Sequence, residues 1–209
     1  MKEMKFGDLI LTALAVVAAV WAVAFAVLSW GGGIVIGREP YPYGGPTVLG
    51  NKGRTVVSAI RVVDKDREAS GAGGLWPAKG AWASSTDYLD HLLELEDCAL
   101  CKSDVDGPWC CLAGIAGEDD SMPFLWTDNL EVTDAMLRGE DVDWGGQLRD
   151  EGPVVIVRKS GSMQIVKKKQ LSAETFFDMS WGGALPRDPD ALEVLKPLPA
   201  PEPAGDGRP

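Results

Sequence analysis

A twenty-residue apolar run, Leu9 to Leu28, constrains this chain more than any other stretch. It reads LILTALAVVAAVWAVAFAVL, with Thr12 as its one polar side chain and no charge. At about 1.5 Å rise per residue, a helix of this length spans the roughly 30 Å hydrocarbon core of a bilayer. A continuous helix also pairs every backbone N–H and C=O inside lipid, where no water is available to do so. A buried helix of a soluble protein normally keeps a polar face, which this run lacks. A cleaved signal sequence usually has a shorter apolar region that ends at a small-x-small site. Here Ala22, Ala24 and Ala26 lie inside the run and not after it. The expectation is a retained membrane anchor, with residues 1–8 as a short lead and 9–30 as the transmembrane helix. Its alanines, among them Ala15, Ala18, Ala19 and Ala22, permit close approach of partner helices.

Positive charge near the ends of the span sets orientation. Lys2 and Lys5 precede it, and none follows until Arg38. The rule places the N-terminus in the cytoplasm and the bulk of the chain outside, on a single-pass protein of the cell (inner) membrane. The chain carries 20 basic and 31 acidic residues, a net charge of −11. Phosphate contacts need a basic surface, so nucleic acid is excluded as a partner and the lipid bilayer is the expected one.

Seven glycines and three prolines between Ser29 and Gly50 argue against a continuous helix, so residues 31–50 are expected to be a linker. Residues 51–183 are expected to form one exported α+β domain, with helices packed on a small antiparallel sheet that ends in a β-hairpin. Lys52 to Ala69 has the period of an amphipathic helix, with Val56, Val57, Ile60 and Val63 on one stripe. Ser84, Ser85 or Thr86 is placed to cap a second helix, about Asp87 to Glu96. His91, the single histidine, falls beside its apolar stripe and reads as an ordinary, partly exposed side chain. Met122 to Trp126 is an aromatic segment bound for the core, Asp134 to Arg138 a helical turn, and Gly139 to Gly152 a loop. Val154 to Val157 and Met163 to Val166, joined across Lys159-Ser160-Gly161-Ser162, predict a hairpin. Arg158, Lys159 and Lys167 to Lys169 read as charges guarding its edge. Ser172 predicts the cap of a last helix with Phe176, Phe177 and Met179. Residues 184–209 are rich in proline and charge and are expected to be a disordered tail.

Four cysteines cluster as C-x2-C-x8-C-C: Cys98, Cys101, Cys110 and Cys111. In an exported domain, disulfides between the two pairs are the first expectation. The connectivities 98–110/101–111 and 98–111/101–110 are equally open. A four-cysteine zinc site, in an anchored module that binds a ligand or zinc and does not assemble, is the alternative. No nucleophile–histidine set, phosphate loop or H-E-x-x-H motif occurs, so neither an enzyme nor a cofactor is expected.

The order of several short patterns resembles the type IV pilin-like and type II secretion pseudopilin family. They are the apolar N-terminal run, NKGRTVVSAIRVVDKDREAS, the following WP, SSTDYLDHLLE, PFLWTDNLE, WGG and VVIVRKSGSMQIVKKKQLS. The resemblance covers roughly residues 50 to 178 and implies a subunit that associates with other pilin-like or secretion-system membrane subunits. Lys5-Phe6-Gly7 is similar to the end of a prepilin leader, which implies cleavage between Gly7 and Asp8. Asp8 stands where the family usually has Phe, and Thr12 where it has Glu.

Overall fold

The computed structural model describes residues 44–70 and 74–199, all within the unit that spans 41–209. The Leu9–Leu28 run, the Gly7–Asp8 position and residues 200–209 of the tail lie outside the described residues. Among the described residues no helix is long and apolar enough to cross a membrane.

The architecture is α+β, with a five-stranded antiparallel sheet. Helix α1, Pro46–Ser70, is 25 residues long and so about 37 Å from end to end. Its stripe of Leu49, Val56, Val57, Ile60 and Val63 is buried against the sheet. The helix starts inside the stretch expected to be linker. Pro46 stands in its first turn, where a missing N–H costs nothing because that donor has no partner within the helix. Two glycines of the helix, Gly50 from the expected linker and Gly53 from the expected helix, sit close against the strands. A Cβ on Gly53 would stand 2.8 Å from Val157 Cγ2 and 3.3 Å from the Trp109 ring, and one on Gly50 would strike Met163 Sδ. These two positions let the helix axis approach the strands. Gly53→Ala is therefore expected to destabilise by about 1–3 kcal/mol through overpacking, despite the better helix propensity of alanine. Gly50→Ala is expected to cost less, because the half-buried Met163 side chain is flexible and can move aside. Urea melts of the two variants check the ranking.

Helix α2, Ser85–Glu94, begins where predicted, with the Ser84 hydroxyl accepting from the Asp87 N–H. A single turn, α3, Lys102–Val105, leads to strand β1, Trp109–Ala113. Strand β2 is Pro123–Thr127, and the short helix α4 is Asp134–Leu137. Strands β3, Val154–Arg158, and β4, Met163–Val166, form the predicted hairpin, with Val154 opposite Val166 and Val157 opposite Met163. Helix α5, Ala173–Phe176, is capped by Ser172 as expected, and its Phe176 and Phe177 pack edge to face at 5.1 Å.

The hairpin does not end the domain. Strand β5, Glu193–Leu195, follows it, and the sheet order is β4-β3-β2-β1-β5. The expectation of a disordered tail from 184 thus fails at least as far as Leu195. Composition suggested disorder, but the prolines flank the strand and do not interrupt it. Leu192 and Leu195 are buried, and β5 pairs with the otherwise open edge of β1.

The pairing assigns the faces, because directly opposed residues share one. Trp109, Cys111, Leu125, Val155 and Val157 share the face covered by α1 and α2. Cys110, Trp126, Ile156 and Gln164 share the other, where Phe176 meets Trp126 at 5.6 Å. The strand ends are also distinct. Trp109, Thr127 and Val154 lie at one end of the sheet, and Ala113, Pro123 and Arg158 at the other.

Candidate interaction surfaces

The four cysteines are free thiols, against the expected bridges. Cys110 and Cys111 are successive residues of a buried strand, so their side chains leave opposite faces of the sheet and cannot close one staple. Among the described residues no group of three or more His, Cys, Asp or Glu could hold a metal ion, so the four-cysteine zinc site does not assemble. Burial raises the Cys98 thiol and pushes Cys110 up to about 12. Cys111, wholly buried, is raised as well. Cys101 is exposed, its Sγ 3.0 Å from Asp104 Oδ2 and 2.9 Å from Ser103 Oγ. Alkylation of the native protein at pH 8 is expected to modify Cys101 alone, and all four thiols only in denaturant. Mass spectrometry counts the adducts. The signal for this burial was present in WCCLA: a run of tryptophan, cysteine and leucine is a strand pattern if cysteine is treated as a small hydrophobe.

The basic residues at the end of β3 also differ from expectation. Arg158 and Lys159 are 2% and 8% exposed, so neither guards an edge, whereas Lys167, Lys168 and Lys169 are exposed beyond β4. Lys159 Nζ donates to the carbonyls of Ala116 and Glu118 at 2.8 and 2.7 Å, and lies 5.6 Å from the centre of the Trp76 ring. It locks the loop after β1. Arg158 Nη2 donates to Gln164 Oε1 at 2.8 Å and to the Thr175 carbonyl at 3.0 Å. Its Nε lies 3.6 Å from Asp178 Oδ2, near enough for charge attraction and too far for a hydrogen bond.

Asp178 opens the turn that follows α5. It has φ +59°, the one positive φ of a non-glycine residue among those described. Met179 to Trp181 form a single 3-10 turn, closed by Gly182 at φ +93°. The Gly183 N–H returns to the Asp178 carbonyl at 3.1 Å, and a Cβ on Gly183 would strike the Phe177 carbonyl. At the tip Trp181 is 87% exposed and Met179 42%. Met179, expected on the last helix, lies instead in this turn with Trp181. The Trp-Gly-Gly sequence marks a turn but not its exposure, because the same three residues at 144–146 place Trp144 in the core.

At the opposite end of the sheet, where β1 begins, a cleft of about 250 Å³ opens between α2, α3 and residues 107–109. Leu89, Val105 and Pro108 form apolar wall, and Asp90, Asp106, Asp128 and Lys102 line it with charge, Lys102 Nζ being paired with Asp90 at 2.9 Å. Desolvation raises the Asp128 carboxyl, an effect that Arg149 partly offsets. Trp109 lines the same cleft, and its buried Nε1–H has no hydrogen-bond partner. Residues 196–198 strap this region. The Ser85 N–H donates to the Lys196 carbonyl at 3.0 Å, and the Leu198 N–H to Thr86 Oγ1 at 3.1 Å, leaving the Leu198 side chain 55% exposed on the rim. His91 lies nearby, half-buried, with its ring 4.9 Å from that of Trp82.

Comparison of the chain with protein-family models, with curated proteins and with solved structures finds no match.

Proposed function

We propose that this chain is a membrane-anchored structural or assembly component, similar to a pseudopilin, that acts in protein secretion or surface-filament assembly. One observation carries the reading. A 25-residue helix lies along an antiparallel sheet, and it follows in sequence a charge-free apolar run long enough to cross a bilayer. The inner stripe of that helix is used by the domain. Its outer side keeps Val48 and Val62 at 49% and 64% exposure, which suits lateral contact with neighbouring subunits. The apolar run supplies the anchor, with the N-terminus in the cytoplasm and the domain outside.

The test is fractionation of cells that express the full chain. Retention in membranes after alkaline carbonate supports the anchor. Labelling of exposed Cys101 in intact cells by a membrane-impermeant maleimide supports the orientation. Crosslinking to other pilin-like or secretion-system subunits supports the assembly role. Recovery in the carbonate-soluble fraction, without crosslinks, overturns the reading.

A further inference from the structure

The exposed tryptophan and the cleft at the far end of the sheet complement one another. We propose that Trp181 of one copy inserts into the α2–β1 cleft of a second copy, giving a head-to-tail contact that repeats along an assembly. This rests on the assembly role above and names the contact surface.

The turn is built to hold its side chain out. Asp178 occupies the left-handed region at φ +59° and faces the nearly buried Arg158. Close packing at Gly183 against the Phe177 carbonyl sets the path out of the turn. Aspartate tolerates the left-handed region better than most residues, and here its carboxylate faces Arg158. The residue presented, 87% exposed, is of the type that most often dominates the energetics of an interface.

The cleft matches in size and chemistry. At about 250 Å³ it lies below the roughly 300–1,000 Å³ of a drug-sized ligand site, and suits one large side chain. Leu89, Val105 and Pro108 offer apolar wall to an indole ring. The carboxylates of Asp106 and Asp128 are acceptors for the single donor of that ring. Residues Met179 to Gly183 have no charged side chain of their own, and Ser180 Oγ donates to the neighbouring Glu174 carboxylate at 2.6 Å. Met179 and Leu198, both exposed, extend the contact beyond the ring.

Placement makes the contact intermolecular. Asp178 faces Arg158, the last residue of β3, and the Arg187 N–H bonds Glu118 beyond the end of β1. The turn between them therefore belongs to that end and to the α5 face. The cleft lies at the start of β1 and on the α1–α2 face. Five-residue strands separate the two ends by on the order of 15 Å. Because the turn and the cleft lie at opposite ends and on opposite faces, one neighbour does not return the contact it receives, so the contact is heterologous and repeats as a ring or an open filament.

The test places the photocrosslinking residue benzoyl-phenylalanine at position 181 of the full chain in its native membranes. The expected product is an adduct between two copies, mapped by mass spectrometry to residues 86–109 or 128. Trp181→Ala is expected to weaken self-association of the detergent-solubilised full chain by at least thirtyfold, the effect of losing a hot-spot side chain. Trp181→Phe, which keeps an aromatic ring, is expected to fall between. A self-adduct mapping elsewhere, or an adduct only with lipid or another protein, overturns the proposal. Copies that still crosslink through other surfaces while position 181 gives no self-adduct overturn the knob and leave the assembly role standing. A chain that is monomeric in membranes overturns both.

Discussion

Gly114→Ala is expected to strip β5 from the sheet and to lower stability by at least about 3 kcal/mol. Two effects add. Gly114 has φ +85°, where an L side chain costs about 1–2 kcal/mol. Its Cβ would also strike the carbonyl oxygen of Ala191, which is backbone and cannot rotate away. The Gly114 N–H bonds the Pro77 carbonyl at 2.7 Å, so the residue cannot back off without losing that bond. The displaced segment, residues 189–195, holds Leu192 and Leu195 in the core. Gly80→Ala separates the effects. Gly80 has φ +71° and nothing within contact of an added Cβ, so it carries the conformational cost alone, about 1–2 kcal/mol. Urea unfolding gives the magnitudes, and hydrogen exchange at Glu193 to Leu195 reports the strand. Equal losses in the two variants would show that the contact with Ala191 does not matter.

Arg158→Ala is expected to cost about 2–4 kcal/mol and to loosen the turn that carries Trp181. The guanidinium is 3% exposed and serves Gln164, the Thr175 carbonyl at the end of α5, and the Asp178 carboxylate. Truncation leaves a cavity and unpaired polar groups together. Arg158→Met keeps most of the volume and removes only the polar contacts, so it is expected to lose about half as much. A buried charge is not stabilising by default, and a methionine variant as stable as the parent would mean that packing alone holds the site. Exchange rates at residues 178–183 supply the second readout. They are expected to rise in both variants, because neither retains the charge that faces Asp178.

Much of the secondary structure follows from local chemistry. The Val56, Val57, Ile60 and Val63 stripe, the caps at Ser84 and Ser172, and the β-branched run from Val154 to Val157 each state their element within a few residues. The failures share one cause, which is that the deciding partner is remote. Gly50 looked like a helix breaker, and only the crossing of β4 and β3 beneath it makes a small residue useful there. Cys110 and Cys111 looked like bridge or metal chemistry, and only their place inside the sheet makes them core. Glu193 to Leu195 looked like tail until the free edge of β1 came into view.

The candidate surfaces were less legible than the fold. Arg158 and Lys159 carry the same charge as Lys167 to Lys169, yet the first two are buried and the others exposed. Charge type says nothing about which cation finds carbonyls within reach; the loop after β1 and the end of α5 supply them. The cleft is assembled from residues 85–90, 102–109, 128 and 197–198, which no local pattern groups together.

From sequence alone came the apolar run from Leu9 to Leu28, the acidic balance, the α+β class and the positions of the long helix and the hairpin. Each depends on periodicity or composition within one stretch of chain. Tertiary structure alone decided the free, divided cysteines, the fifth strand, the buried cations and the placement of Trp181 opposite the cleft. Those depend on contacts between segments far apart in sequence, whose free energy appears only when the sheet brings them together.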